Sequence, residues 1–326
     1  ENGQPVPFAE IEVEYVNEGG SVKALSSGIM DGSRLGFRGT EDLGGGLKAT
    51  FNLQTGGLDL STGSNALAFS RESNLGLTGN FGALKLGRSV STMCSTGCSF
   101  DYNGIGNGDA YALLGLSPAS IKASSRRSNQ IEYTAPTMSG FTARVATILK
   151  GDGTEDITFG NGFATAGAAF AGGVGSPGNA TAHVKADYKA VYALGLSYAN
   201  GPIRVAYALE TQPFADANLR NTQWTAAEYD FGVAKANLNY MVNGTKGGAG
   251  RGGTAQASVV GTTPLSSTAA ASSGKGWGTG VSVPLGAITF GLQYANNTEN
   301  KTKATELFAR YSLSKRTEVY SYYAMT

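Results

Sequence analysis

The sequence is poor in charge, has a single histidine and contains no long apolar run. Charged side chains make up 15% of its 326 residues, whereas ordinary soluble domains carry about 25%. No segment approaches the roughly 18 uninterrupted apolar residues that a membrane-spanning helix needs. The lack of a long apolar run excludes a helical membrane protein. The low fraction of charged residues favours a chain with much of its surface in a non-aqueous environment.

Enzyme and cofactor chemistry finds little support in the sequence. His183 is the only histidine, so paired imidazoles are not available, and no serine or aspartate has a credible base partner. The glycine clusters at 44–46 and 247–253 do not stand between a strand and a helix, as a phosphate-binding loop requires. We therefore expect no enzymatic activity, no cofactor and no metal. The net charge of +1 gives no support for a nucleic-acid partner.

The two cysteines, Cys94 and Cys98, stand close together in a segment rich in Ser, Gly and Thr. A zinc site needs about four N or S ligands, and oxidising compartments favour bridges. We therefore expect a local disulfide rather than a metal site, with two free thiols as the alternative. No leader precedes Glu1, and we expect that any secretory signal has already been removed.

Glycine and tyrosine are abundant, with 48 and 15 residues, and apolar and polar positions alternate. Residues 34–54 show this best, as two strands around a glycine turn. One face carries Leu35, Phe37, Leu47, Ala49, Phe51 and Leu53, and the other carries Arg34, Arg38, Lys48, Thr50, Asn52 and Gln54. Because successive side chains of a strand point to opposite sides, this hairpin has one apolar and one wet face.

The same pattern recurs along the chain around seven short turns, while long segments at 88–125, 150–186 and 243–276 are rich in small polar residues. Short turns that alternate with long loops are typical of outer-membrane barrels. A closed barrel suits a bilayer because it leaves no unpaired backbone edge. The alternative is a secreted sandwich or solenoid, which would bury its apolar face against a second sheet.

Five segments resemble the general porins of beta-proteobacteria. They are SRLGFRGTEDLGGGLKATFNLQ, FSRESNLGLTGNFGALKLGRS, RRSNQIEYTAPTMSGF, YDFGVAKANLNY and YSLSKRTEVY. The resemblance implies an all-β fold, a transmembrane up-and-down antiparallel β-barrel of 16 strands, forming one domain over residues 1–326. It implies a homotrimer in the bacterial outer membrane, surrounded by lipid and lipopolysaccharide, that passes small hydrophilic solutes and anions.

The C-terminal end departs from that family, whose last strand closes on an aromatic residue. Seven short turns and a first strand at residues 9–15 place Thr326 at the end of a fifteenth strand. We therefore expect the sixteenth strand to be missing from this sequence, because an open edge in lipid would leave backbone groups unsatisfied.

The family folds its third long loop into the barrel as a constriction, and the matching segment here is residues 89–125. By motif match, the wall arginines that face this loop are Arg38, Arg71 and Arg126. Alternation also places Arg38 and Arg126 on the polar face, but it turns Arg71 outward unless a bulge intervenes. Within the loop, Asp101 and Asp109 are expected to oppose the arginines across the pore.

Further polar-face candidates are Arg34, Lys48, Glu132, Arg144, Arg204 and Arg310. A charged lining raises the local concentration of ions of opposite sign, so these residues predict a diffusion channel with a weak anion preference. Each could instead be a solvated or paired charge without a role in the pore field. Two other functions stay open: a substrate-selective channel, and a non-conducting structural or adhesive surface barrel.

Overall fold

A computed structural model describes residues 12–17, 21–26, 34–56, 68–104, 109–118, 125–149, 190–212, 220–244, 274–315 and 317–326. The strands are β1 (Glu12–Asn17), β2 (Ser21–Ser26), β3 (Arg34–Gly44), β4 (Leu47–Gly56), β5 (Glu72–Gly79), β6 (Gly82–Val90), β7 (Arg126–Thr134), β8 (Phe141–Ile148), β9 (Val191–Asn200), β10 (Ile203–Glu210), β11 (Thr222–Asp230), β12 (Lys235–Val242), β13 (Lys275–Leu285), β14 (Ile288–Asn297), β15 (Thr302–Ser312) and β16 (Glu318–Met325). Between β6 and β7 lie α1 (Thr92–Gly97), a 3₁₀ turn (Cys98–Phe100) and α2 (Ala110–Leu113). Neither of these helices is long or apolar enough to cross a membrane.

Strands β3 to β16 form one 14-stranded sheet in which each strand pairs antiparallel with its neighbours in sequence. The seven predicted short turns join β3–β4, β5–β6, β7–β8, β9–β10, β11–β12, β13–β14 and β15–β16. The all-β, up-and-down prediction is therefore confirmed over these strands. In place of a single first strand at residues 9–15, the described residues contain β1 and β2, which pair with each other in a separate two-stranded sheet.

The sheet has one apolar face and one polar face, as the alternation predicts. Phe51, Leu75 and Leu86 are cross-strand neighbours on the outward face, and all three are exposed. The opposite, inner face carries acids that include Glu132, Glu210, Glu228 and Glu306, and these are buried. An outward apolar face of this kind is suited to contact with lipid.

The turn between β3 and β4 depends on glycine. Gly44, Gly45 and Gly46 have φ values of 86°, 62° and 82°, a region that glycine enters without steric cost. The run of glycines in the sequence therefore predicts this turn correctly.

At the other end of the strands, one connection is shorter than the predicted long loops. Residues 298–301 join β14 to β15. Asn297 Oδ1 accepts hydrogen bonds from the backbone N–H groups of Glu299 (3.2 Å) and Asn300 (3.0 Å), and Lys301 has a φ of 58°. Asparagine closes turns in this way by bonding to the backbone that follows it.

Candidate functional site

The connection from β6 to β7 lies against the inner face of the sheet. Ser91 is the N-cap of α1, and its Oγ accepts a hydrogen bond from Cys94 N. Thr92 Oγ1 donates to Glu132 Oε2 on β7 at 2.6 Å. The helix α1 then contacts β8 to β11, and α2 contacts β14 and β15. The described part of this loop thus crosses much of the inner face.

Apolar side chains join the loop to the wall. Phe100 of the loop packs edge-on against Trp224 of β11, with 5.2 Å between the ring centroids. Trp224 is 1% exposed although it projects from the face that sequence alternation predicts to be wet. The shared core consists of Met93, Phe100, Ala110, Tyr111, Leu114 and Leu116 from the loop with Ala206, Ala208, Trp224, Ala226, Met241, Ala295 and Ala304 from the strands. This part of the inner face is a packing surface.

A disulfide joins Cys94 in α1 to Cys98 at the start of the 3₁₀ turn, four positions later. The bridge therefore lies within the segment that sits on β9 and β10. Two parts of the predicted constriction loop, residues 105–108 and 119–124, lie outside the described residues, and so does His183.

Polar bonds attach the second half of the loop to β14 and β15. Glu306 Oε2 accepts from Ala110 N at 3.0 Å, and Glu306 Oε1 accepts from the side-chain amide of Asn103. Gln293 Nε2 donates to Asp101 Oδ1 at 2.9 Å, while its Oε1 accepts from Tyr102 N at 3.1 Å. Glu306 and Gln293 are both fully buried, so the loop covers these groups and supplies their hydrogen bonds in place of water.

Asp101 and Asp109 occupy this buried interface and do not line open solvent. Asp109 is 2% exposed, and its Oδ1 caps α2 by accepting from Ala112 N at 2.7 Å. Burial raises the pKa of Asp101 to about 7, against the opposing hydrogen bond from Gln293. Burial, Asp101 and Glu306 together raise the pKa of Asp109 well above its usual range. Because a raised pKa favours the protonated form of a carboxyl group, this pair carries less negative charge than two solvent-exposed aspartates would.

The three predicted wall arginines occur in three different settings. Arg38 stands on the inner face of β3 opposite Asn52 and is exposed. Arg71 lies in the bend that precedes β5, where its Nε donates to Gln54 Oε1 at 3.0 Å. Since Arg71 stands before the strand begins, the strand parity that would turn it outward does not apply to it.

Arg126 lies at the start of β7, and its Nε is 3.8 Å from Glu72 Oε1. Its guanidinium is also close enough to Arg71, Arg34 and Arg88 to interact with them electrostatically. Arg71 and Arg126, two of the three arginines matched by motif, therefore lie close to Arg34, which the sequence offered only as a further residue of the polar face. Glu72 and Arg88 belong to the same group but were absent from the sequence-based prediction.

A bulge in β7 brings a second arginine, Arg127, to the inner face. Gly87 pairs with Gln130 but Ser89 pairs with Arg127, so β7 has one extra residue there, and Asn129 adopts a φ of 53°. Arg127 consequently meets Glu210 of β10, with Nη2 to Oε1 at 2.7 Å. Strict alternation could not predict this pair, and the only signal in the sequence is an asparagine, a residue that tolerates left-handed backbone.

The remaining predicted lining residues divide into paired and exposed charges. Glu132 binds Lys85 at 3.0 Å. Arg204 binds Glu228 at 2.9 Å and Ser99 at 2.6 Å, and its guanidinium lies 4.5 Å from the centre of the Phe100 ring. Arg310 binds Glu318 at 2.8 Å. For these residues, the alternative reading of a paired charge fits the geometry.

Lys48 and Arg144 differ from that group in exposure. Lys48 is exposed at the start of β4, next to the glycine turn, and Arg144 is half-buried opposite Gly195 on β9. Both project from the inner face, as alternation predicts.

Comparisons with known proteins agree with this architecture. The sequence profile described as Gram-negative porin matches residues 8–326. An outer membrane porin of Bordetella pertussis is 30% identical over 91% of this chain and 77% of that protein. Outer membrane porin protein 32 of Delftia acidovorans is 30% identical over 73% of this chain and 62% of that protein.

Among solved structures, an anion-selective porin from Comamonas acidovorans superimposes with a TM-score of 0.66 at 25% identity, covering 96% of this chain and 85% of that one. A mutant of the Rh. blastica porin gives a TM-score of 0.58 at 13% identity, which shows the fold alone. The sheet described above is therefore the wall of a porin-type β-barrel.

Proposed function

The chain belongs to the Gram-negative porin family, and on that premise we propose which of its side chains form the pore constriction and set its charge preference. The protein is a diffusion channel of the bacterial outer membrane with a preference for anions. This family and this fold are those of channels and not of enzymes. The predicted function and localisation are thus confirmed, and the adhesive-barrel alternative is not favoured.

We propose that residues 89–125 form the constriction within a single barrel domain of residues 1–326. The residues assigned to the open side of this constriction are Arg38, Arg71 and Arg126. The observation that carries the proposal is the contrast in exposure between Arg38, which is exposed, and the acids of the loop, which are buried. A charge in contact with pore water attracts counter-ions, while a buried carboxyl that keeps its proton contributes little to the field.

Reversal-potential measurement across a salt gradient in a planar bilayer tests this assignment. Arg38→Ala and Arg126→Ala are each expected to lower the anion preference of the parent channel. Lys315→Ala is the matched control, because Lys315 is an exposed cation in the turn after β15, away from the inner face. An unchanged reversal potential in both arginine variants would contradict the assignment.

We also propose that the protein assembles as a homotrimer in contact with lipopolysaccharide and outer-membrane lipid. Family membership indicates an oligomeric channel that passes solutes, and the exposed apolar side chains of the outward face, such as Leu75 and Phe141, are suited to lipid or subunit contact. Sedimentation in detergent before and after heating would measure the subunit number. A monomer before heating would contradict the trimer.

A further inference from the structure

Strand β13 presents no side chain to the inside of the barrel over its first half. Gly276, Gly278 and Gly280 occupy alternate positions, and they pair across the sheet with Met241, Asn239 and Asn237, whose side chains face inward. Glycine in the interior of a strand destabilises the fold for two reasons. It has no side chain to pack, and it loses more conformational freedom on folding than any other residue. None of the three glycines has a positive φ, so left-handed backbone does not account for their presence.

Side chains of the loop fill the space that these glycines leave. A methyl group at Gly278 would overlap the ring of Tyr111 in α2. At Gly280 it would stand 3.1 Å from Tyr111 Oη and 3.3 Å from Tyr102 Cδ2. At Gly276 it would overlap the backbone oxygen of Asn296 in the next strand and would also stand 2.9 Å from Leu116 Cδ1. The loop therefore lies directly on the backbone of β13.

The first half of the loop is seated in the same way on β9. A methyl group at Gly195 would overlap Thr96 Oγ1 and would stand 3.2 Å from Thr92 Cγ2, both in α1. Gly195 also lacks a positive φ. Two strands that lie four apart in the sheet thus offer bare backbone at the points where the two helices of the loop meet the wall.

We propose that Gly195 and Gly278 are positioning residues that set the width of the pore, because they determine how close the loop lies to the wall. This inference rests on the proposed role of residues 89–125 as the constriction. Tyr111 cannot rotate away from an added methyl group without losing its hydrogen bond to Asn237 Oδ1, at 3.1 Å, and Ala110 N is held by Glu306 at 3.0 Å. An added methyl group at Gly278 is then accommodated only if α2 moves away from the wall and into the channel.

The test is single-channel conductance together with the size limit for neutral sugars in liposome swelling. Gly278→Ala is expected to lower both, because the constriction narrows while its charges stay the same. Gly36→Ala is the matched control: Gly36 also lies on the inner face, but the atoms nearest to a methyl group there belong to its neighbours in the sheet, Leu53 O at 3.0 Å and Gln54 Cβ at 3.4 Å. This control is expected to conduct like the parent.

A double-mutant cycle separates displacement of the loop from general damage. In a Tyr111→Ala background the clashing ring is gone, so adding Gly278→Ala is expected to leave the conductance unchanged. If Gly278→Ala does not fold into a heat-modifiable barrel, Gly280→Ala, whose closest contact would be 3.1 Å, is the milder variant and should give a smaller loss in the same direction.

Two failures can be told apart. A parent protein without open-channel steps would refute the proposed function itself. A conducting parent whose glycine variants match Gly36→Ala, or a Gly278→Ala loss that persists in the Tyr111→Ala background, would overturn the positioning role and leave the pore intact.

Discussion

Arg38 and Glu306 both project from the inner face of the same sheet, but they are in opposite surroundings. Arg38, on β3, is exposed, whereas Glu306, on β15, is fully buried beneath the loop and hydrogen-bonded to it. The uncovered wall therefore keeps its charge in contact with pore water, while the covered wall uses its acids to hold the loop. This difference is the basis of the proposed anion preference in a chain whose net charge is only +1.

The largest expected effect comes from removing the apolar attachment of the covered wall. Trp224→Ala should cost about 3–5 kcal/mol, the usual range for an aromatic core residue replaced by alanine, and should raise open-channel noise as the loop loosens. Trp277→Ala is the control, because Trp277 is the other tryptophan of the sequence and is only half-buried, on the outward face. Denaturant unfolding in detergent and single-channel noise measure the two effects. An equal loss of unfolding free energy in both variants would contradict the special role of the inner face that the loop covers.

The next effect is a pH dependence of loop attachment. Asp101 has a pKa raised from 3.8 to about 7, so the folded loop holds a proton that the unfolded chain releases at lower pH. Attachment is then strongest below about pH 4 and weakens as the pH rises toward 7. The charged or titratable groups that face Asp101 include Asp109 from the start of α2, Tyr111 within α2 and Glu306 from β15.

Open-channel noise between pH 5 and pH 8 measures this effect, and it should increase with pH. In Asp101→Asn the amide keeps the shape of the side chain but does not titrate, so the pH dependence should be reduced. Noise that falls with rising pH in the parent, or an identical pH profile in the variant, would contradict the buried-acid description.

The smallest effect is expected from the disulfide. Because Cys94 and Cys98 close a very short segment, the bridge should add less than the about 3 kcal/mol typical of longer loops. The Thr92–Glu132 hydrogen bond and the apolar core hold α1 independently of it. Reduction, or Cys94→Ser with Cys98→Ser, should therefore change conductance noise only slightly. A collapse of conductance on reduction would show that the bridge, and not the wall, holds the loop.

Local patterns in the sequence predict the uncovered wall well. Alternation places Arg38 and Lys48 on the inner face, and the glycines at 44–46 predict the turn between them. These features depend only on neighbours in the chain or on the adjacent strand, so a period of two is enough to recognise them.

The covered wall is harder to predict because its environment comes from a distant segment. Trp224 and Met241 look out of place on a polar face until the loop covers them, and Asp101 and Asp109 look like pore charges until their burial is known. The bulge at Asn129, which turns Arg127 toward Glu210, changes the strand parity locally. Each of these differences arises from tertiary packing that no periodicity records.

The most direct test of this contrast is the reversal potential of Arg38→Gln and Asp101→Asn, measured side by side at pH 6. Each variant neutralises one side chain with little change of shape, but Arg38 is exposed and charged, while Asp101 is buried with a pKa of about 7. We expect Arg38→Gln to shift the reversal potential toward lower anion preference and Asp101→Asn to leave it at the parent value. A shift of equal size in Asp101→Asn, or none in Arg38→Gln, would contradict the account.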